Sequence, residues 1–160
     1  MMVRPVGFRM NEETAVNNYF QEDIQIRNEE VNRMAQEEFD QFVQKLREVG
    51  INVIVVDDKK DLDTPGSIFP NNWVSFHEDG TAVVYPMFAV NRRRERRMEF
   101  FEEIEKNGFF IKEVVDYTEA EEEDVFLEGT GSMILDRVNQ KAYCSLSPRA
   151  DEDLFIEFFE

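Results

Sequence analysis

Four stretches of the sequence carry side chains that a scaffold alone does not require. Ser67-Ile68-Phe69-Pro70-Asn71-Asn72-Trp73 sets two adjacent amides ahead of a run of β-forming residues. An amide both donates and accepts, so Asn71 and Asn72 can bind a polar ligand, although Asn and Pro are equally ordinary in a turn. Asn91-Arg92-Arg93-Arg94-Glu95-Arg96-Arg97 concentrates five arginines. A guanidinium grips a carboxylate through a rigid fork, so Arg92 or a neighbour can hold a ligand's acid group. For most of the five, a solvated helix face balanced by Glu102, Glu103 and Glu105 is the simpler expectation. Phe126-Leu127-Glu128-Gly129-Thr130-Gly131-Ser132 lodges one acid against paired glycines, where backbone approaches closely. Glu128 there can meet a cationic ligand or shuttle protons; the plain alternative is a β-bulge with an exposed acid. Finally, His77 and Cys144 are the only residues of their types. A Cys–His pair is conceivable chemistry, but both fall in predicted strands beside bulky apolar residues, where a lone cysteine is ordinarily a small buried hydrophobe.

Other chemistries leave no trace. There is no zinc spacing, P-loop or dinucleotide fingerprint, so neither a metal nor a cofactor is expected. The acid run Glu119-Ala120-Glu121-Glu122-Glu123-Asp124 reads as a solvated loop.

The elements that must position these residues follow from periodicity. Val31, Met34, Ala35, Phe39, Phe42, Val43 and Leu46 recur at helical spacing, which predicts a helix over 29–49 stopped by Gly50. Ile51 to Val56 follows as a buried strand. Residues 73–77 and 81–85 flank Asp79-Gly80, a hairpin signal. A helix is predicted over 92–106, a strand over 109–115, and a second hairpin pairing 132–135 with 142–145. Ser147-Pro148 then opens a helix, with Asp151, Glu152 and Asp153 at its positive end. The order amounts to a repeating two-strand, helix, strand unit that breaks off within its third copy. The apolar end Leu154-Phe155-Ile156-Glu157-Phe158-Phe159-Glu160 strengthens the expectation of a truncated chain or of a surface that docks elsewhere.

Composition narrows the class. At 160 residues, 42% hydrophobic and 33% charged, the chain can bury the core of one soluble domain. No apolar run approaches the ~20 residues of a membrane span, and the start lacks a signal peptide's apolar stretch, so a cytoplasmic protein is expected. The single cysteine fits a reducing compartment. A net charge of −17 argues against nucleic acid and anionic membrane as partners.

Taken together, Val3-Arg4-Pro5 with Phe8 and Asn11-Glu12-Glu13-Thr14, residues 67–77, Tyr85-Pro86-Met87, Asn91-Arg92-Arg93, residues 126–136 and Leu146-Ser147-Pro148-Arg149 resemble the amidinotransferase superfamily. The branch they most resemble is the bacterial citrulline-utilisation hydrolases. The resemblance implies the pentein fold, a five-bladed α/β propeller of which this chain would be about half. It also implies covalent catalysis by a cysteine assisted by a histidine, both in the second half of family members; neither Cys144 nor His77 matches those positions. Glu128 matches the family's acid before a glycine that faces the substrate nitrogens. Arg92 matches the first arginine of a motif that clamps the substrate α-carboxylate in some relatives. Asn72 stands where arginine-directed relatives place an aspartate, in a pattern beginning at Phe69.

That last departure bears on the substrate. A guanidinium is cationic and suits carboxylates. A ureido group is neutral and offers both a carbonyl acceptor and N–H donors, which an amide can satisfy. The implied substrate is therefore a guanidino or ureido amino acid, citrulline in the first place, cleaved to ornithine, ammonia and carbon dioxide. Transfer to an amine, or an arginine deiminase-type reaction, remains open. So does a non-catalytic amino-acid-binding or oligomerisation module, in which the chain forms a homo-oligomer or pairs with a second half.

Overall fold

The computed structural model describes residues 1–22 and 25–159. Its elements in chain order are β1 (Met2–Arg4), α1 (Glu12–Ala15), α2 (Asn28–Glu48), β2 (Val55–Asp57), β3 (Val74–Phe76), β4 (Thr81–Val84), α3 (Val90–Arg93), α4 (Glu99–Lys106), β5 (Glu113–Asp116), α5 (Gly129–Ser132), β6 (Met133–Asp136), β7 (Lys141–Cys144) and α6 (Glu152–Phe159). They form two compact units, one of residues 1–70 and 97–109 and the other of 71–96 and 110–160.

In the first unit, β1 and β2 pair in parallel, joined by α2. The predicted helix is present almost to the residue, and it turns its one fully buried side chain, Val43, inward. The strand expected over 51–56 shrinks to Val55–Asp57 because its only ladder partner, β1, is three residues long. Val3, Val53, Val56, Phe100, Phe101 and Ile104 are buried in this unit. Polar ties flank them: Arg4 forks onto Asp40 at 2.8 Å, and Lys59 reaches Glu99 at 2.8 Å.

The second unit holds the candidate residues. β3 and β4 form the antiparallel hairpin around Asp79-Gly80, and β4 then pairs in parallel with β5. Two strands, helix and returning strand are thus present in the predicted order, and β6–β7 followed by α6 begins the pattern again. Val83, Tyr85, Leu127, Met133, Ala150 and Leu154 make the buried cluster beneath these strands.

Three expectations about local structure are overturned here. The helix predicted over 92–106 is two short helices, α3 and α4, with irregular backbone between. Within the second unit Arg92 reaches Glu95, while Arg93 and Arg96 reach Glu121. The strand predicted over 109–115 begins only at Glu113, where the ladder to β4 starts. The last helix starts at Glu152 rather than at Ser147, because Ser147 and Ala150 close a turn and Asp151 caps the helix by accepting from Leu154 N at 3.0 Å.

Among the described residues, no helix is long and apolar enough to cross a membrane, and no group of acidic, histidine or cysteine side chains is arranged to hold a metal.

Candidate functional site

Glu128 is the centre of the site, and its burial excludes the exposed bulge. Its backbone is pinned by antiparallel contact with residues 149–150: Glu128 N donates to Arg149 O at 3.0 Å, and Leu127 bridges Ala150. From there the chain turns into α5, with Ser132 N donating to Glu128 O at 2.8 Å. The side chain is only 1% exposed. Such an acid must be surrounded by donors, since an unpaired buried carboxylate is very costly.

The donors come from three directions. Asn72 Nδ2 donates to Glu128 Oε2 at 3.2 Å, and Phe88 N donates to Oε1 at 3.2 Å. Arg92 Nη1 stands 3.8 Å and Arg149 Nη1 3.6 Å from Oε2. Of the predicted residues, Asn72, Glu128 and Arg92 are therefore brought together. Asn71 is exposed and meets the cluster through its backbone, its carbonyl accepting from Thr130 Oγ1 at 3.3 Å.

The paired glycines are explained by this approach. A Cβ on Gly129 would lie 2.5 Å from Asn71 O and 2.9 Å from Tyr85 Cδ2, and one on Gly131 would lie 2.7 Å from Asn72 Cγ. Only a bare backbone lets the Asn71-Asn72 segment come down onto α5.

Arg92 is 5% exposed, and its Nε and Nη2 edge forks onto Glu95 at 2.9 and 3.0 Å. That pairing leaves Nη1 as the edge directed at Glu128. Arg149 is the more open guanidinium of the two, with 17% of its side chain exposed. It lies in a motif that the sequence singles out without assigning it a role; its signal was the Leu146-Ser147-Pro148-Arg149 run itself.

The arginine run is not a solvated face. Within this unit only Arg94 is exposed. Arg93 Nε donates to Met87 O at 2.9 Å, and Arg93 Cζ lies 5.6 Å from the ring centre of Phe126. Arg96 forks onto Glu121, with Nη2 donating to Oε2 at 2.9 Å, and Glu121 also accepts from Met87 N at 2.7 Å. The acid run is thus a 3₁₀ turn over Thr118–Glu123 in which one of the carboxylates is drawn inward. Nothing in the local sequence distinguishes Glu121 from Glu122 or Glu123; only the partner across the fold does.

His77 and Cys144 lie apart from this chemistry. His77 follows the end of β3, and its Nε2 sits 2.9 Å from Ser75 Oγ, which is itself 2.7 Å from Tyr85 Oη. Burial, and then the charge of Arg137, hold the imidazole below its ordinary range. Burial likewise raises the Cys144 thiol, which faces Met133 across the β6–β7 ladder and packs on the apolar cluster. Among the described residues its surroundings are those of a packing residue, and burial disfavours its thiolate.

The family model that this chain matches falls in the pentein, or amidinotransferase, superfamily, and the buried acid between an amide and two guanidinium groups lies within the matched residues. Within it, residues 4–160 match the family model described as "N,N dimethylarginine dimethylhydrolase, eukaryotic", and the chain belongs to that family. The expected branch is the citrulline-directed one, whereas the matching family model is the dimethylarginine one.

No curated protein matches the chain by sequence. Solved structures do match by fold. A dimethylarginine dimethylaminohydrolase variant, solved as its adduct with S-methyl-L-thiocitrulline, superposes with TM-score 0.64 at 15% identity, over 98% of this chain and 53% of that one. The N-terminal domain of ArgZ, a cyanobacterial arginine dihydrolase bound to its substrate, gives 0.63 at 18% identity over 99% and 53%. A variant of AgrE in complex with L-arginine gives 0.64 at 19% identity over 98% and 21%. This chain therefore spans about half, or less, of each of these structures. The shared feature is a mixed α/β fold.

Proposed function

We propose that this chain is the front half of a cytoplasmic C–N hydrolase acting on an amino acid with a ureido or guanidino side chain, and that the ureido substrate, citrulline, is preferred. The observation that carries the preference is the charge balance around Glu128. Its one negative charge faces Arg92 at 3.8 Å and Arg149 at 3.6 Å, with Glu95 paired to Arg92. Among these described partners two guanidinium groups stand close to Glu128, so a third guanidinium brought by the substrate would meet like charges beside the acid. A neutral ureido group meets no such penalty. Asn72, already donating to Glu128, retains a carbonyl oxygen for the substrate's N–H groups and a further N–H for its carbonyl.

In this reading Arg149, the more exposed guanidinium, and Nη1 of Arg92 receive the substrate α-carboxylate. Glu128 orients the substrate nitrogens. A cysteine thiolate beyond these 160 residues attacks the ureido carbon and expels ornithine, which leaves with a proton; water then cleaves the S-carbamoyl intermediate, restoring the thiol and releasing carbamic acid, which breaks down to ammonia and carbon dioxide. The sum is citrulline plus water giving ornithine, ammonia and carbon dioxide. The remaining blades of the propeller would come from the same missing half.

The second reading, a guanidino substrate, is favoured by the names of the fold's neighbours, which act on dimethylarginine or arginine. Calorimetric titration of the chain with L-citrulline, L-arginine and N,N-dimethylarginine separates the two. We expect citrulline to bind at least about tenfold tighter than arginine, a difference of ~1.4 kcal/mol. Arginine or dimethylarginine binding as tightly as citrulline would establish the guanidino reading instead. No turnover of any of the three is expected from residues 1–160, and Cys144→Ser should leave binding unchanged.

A further inference from the structure

The structure assigns to Glu121 the role of a positioning residue for Glu128, acting through the backbone of Met87 and Phe88; the proposal deepens the hydrolase reading and rests on it for its catalytic meaning. Three groups grip the segment from Tyr85 to Phe88. Glu121 Oε1 accepts from Met87 N at 2.7 Å. Arg93 Nε donates to Met87 O at 2.9 Å, and its Nη2 to Phe88 O at 3.4 Å. Arg96 Nη1 donates to Tyr85 O at 3.4 Å.

Glu121 organises all three. It forks with Arg96 and lies 3.5 Å from Arg93 Nε, so both guanidinium groups are held against the segment by one carboxylate that is 11% exposed. The last N–H of the gripped segment, Phe88 N, is the donor to Glu128 Oε1 at 3.2 Å. The Phe88 ring packs edge-on against Phe126, two residues before Glu128, with centres 5.5 Å apart. Displacing the segment would thus remove a donor from the buried acid and loosen the backbone that leads into it. Without Glu121, two cations near a short backbone stretch would lose their shared counter-charge and repel one another.

Amide hydrogen exchange on wild type, Glu121→Gln and the control Glu122→Gln tests this directly. Glu122 occupies the same 3₁₀ turn but is exposed. We expect Glu121→Gln to speed exchange of the Met87 and Phe88 amides by about tenfold or more while Tyr85, whose N–H bonds Trp73 O at 2.9 Å, keeps its protection. Glu122→Gln should change neither. Unchanged exchange at Phe88, or equal acceleration at Tyr85, overturns the assignment, the second by showing general loosening. The same samples are titrated with L-citrulline and L-arginine. If wild type binds neither, the hydrolase reading fails while the exchange pattern still decides the role of Glu121. If wild type binds one and Glu121→Gln binds it as tightly despite a freed Phe88 amide, Glu121 does not position Glu128 for its ligand. An affinity loss of about tenfold restricted to Glu121→Gln supports the assignment.

Discussion

Two arginines of this protein each stand between two glutamates, and they do different things. On α2, Arg33 reaches Glu30 at 2.6 Å and pairs with Glu37, with all three side chains about half exposed. In the second unit, Arg92 reaches Glu95 at 2.9 Å and Glu128 at 3.8 Å, with side-chain exposures of 5%, 1% and 1%. The residue types are the same, and in each trio one partner is three residues away in sequence. The difference lies in the third member: Glu37 is four residues from Arg33, whereas Glu128 comes from across the fold. A trio built from local spacing decorates a helix. A trio closed by a distant, desolvated acid makes a site, because charges removed from water must be matched by geometry.

The comparison breaks most sharply at the buried trio. Glu95→Ala leaves the Nε and Nη2 edge of Arg92 without its fork in a buried position, and breaking such a pair costs about 3–5 kcal/mol. Urea unfolding of the variant should show a loss of that size. A loss below about 1 kcal/mol would mean that Arg92 relaxes to solvent, and the two trios would then be alike.

Gly131→Ala tests the same region without altering a charge. Its new methyl would sit within contact distance of the whole Asn72 amide, so Asn72 must swing off Glu128 or the α5 turn must shift. Overpacking of this kind costs about 1–3 kcal/mol. The variant should therefore be less stable by that amount and lose affinity for the proposed amino-acid ligand. Full affinity with reduced stability would show that the methyl is accommodated without moving Asn72.

The two trios also mark what the sequence discloses. Elements set by local pattern were legible: the periodic face of α2, the Asp79-Gly80 hairpin and the β6–β7 hairpin all stand where apolar spacing and turn residues put them. Glu128 and Asn72 were legible too, because glycines flanking an acid and paired amides before a strand are unusual combinations. Where partners are remote, the sequence is mute. β1 is three residues whose strand character comes from β2, fifty-three positions away at the pairing of Met2 with Val55. The arginine run looks helical throughout, yet Glu121, thirty-four residues beyond Met87, helps draw it out of helix. Glu121 itself sits among acids indistinguishable from it until the fold selects one. The notion of a solvated arginine face failed for this same reason: the acids that meet Arg92, Arg93 and Arg96 are Glu95, Glu121 and Glu128 rather than the expected Glu102, Glu103 and Glu105.

The smallest expected effect is at the exposed trio, where pH and salt give the sharpest test. Pairing with Arg33 holds the Glu30 carboxyl below its ordinary value of 4.5. A carboxylate whose value is depressed by folding contributes stability above its unfolded value, and that contribution is lost as pH falls through the folded one. At low ionic strength Glu30→Gln should therefore differ from wild type in full above about pH 4.5 and progressively less as pH falls through the depressed folded value, by a shift in urea midpoint near the limit of measurement. In about 1 M salt, where charges are screened within roughly 3 Å, the two curves should coincide at every pH. The deficit of Glu95→Ala should survive the same salt, since a pair closed off from solvent is screened little. If salt erased both differences, the Arg92 trio would behave as a surface pair, and the buried acid at the centre of the proposed site would lose its distinction from the helix decoration on α2.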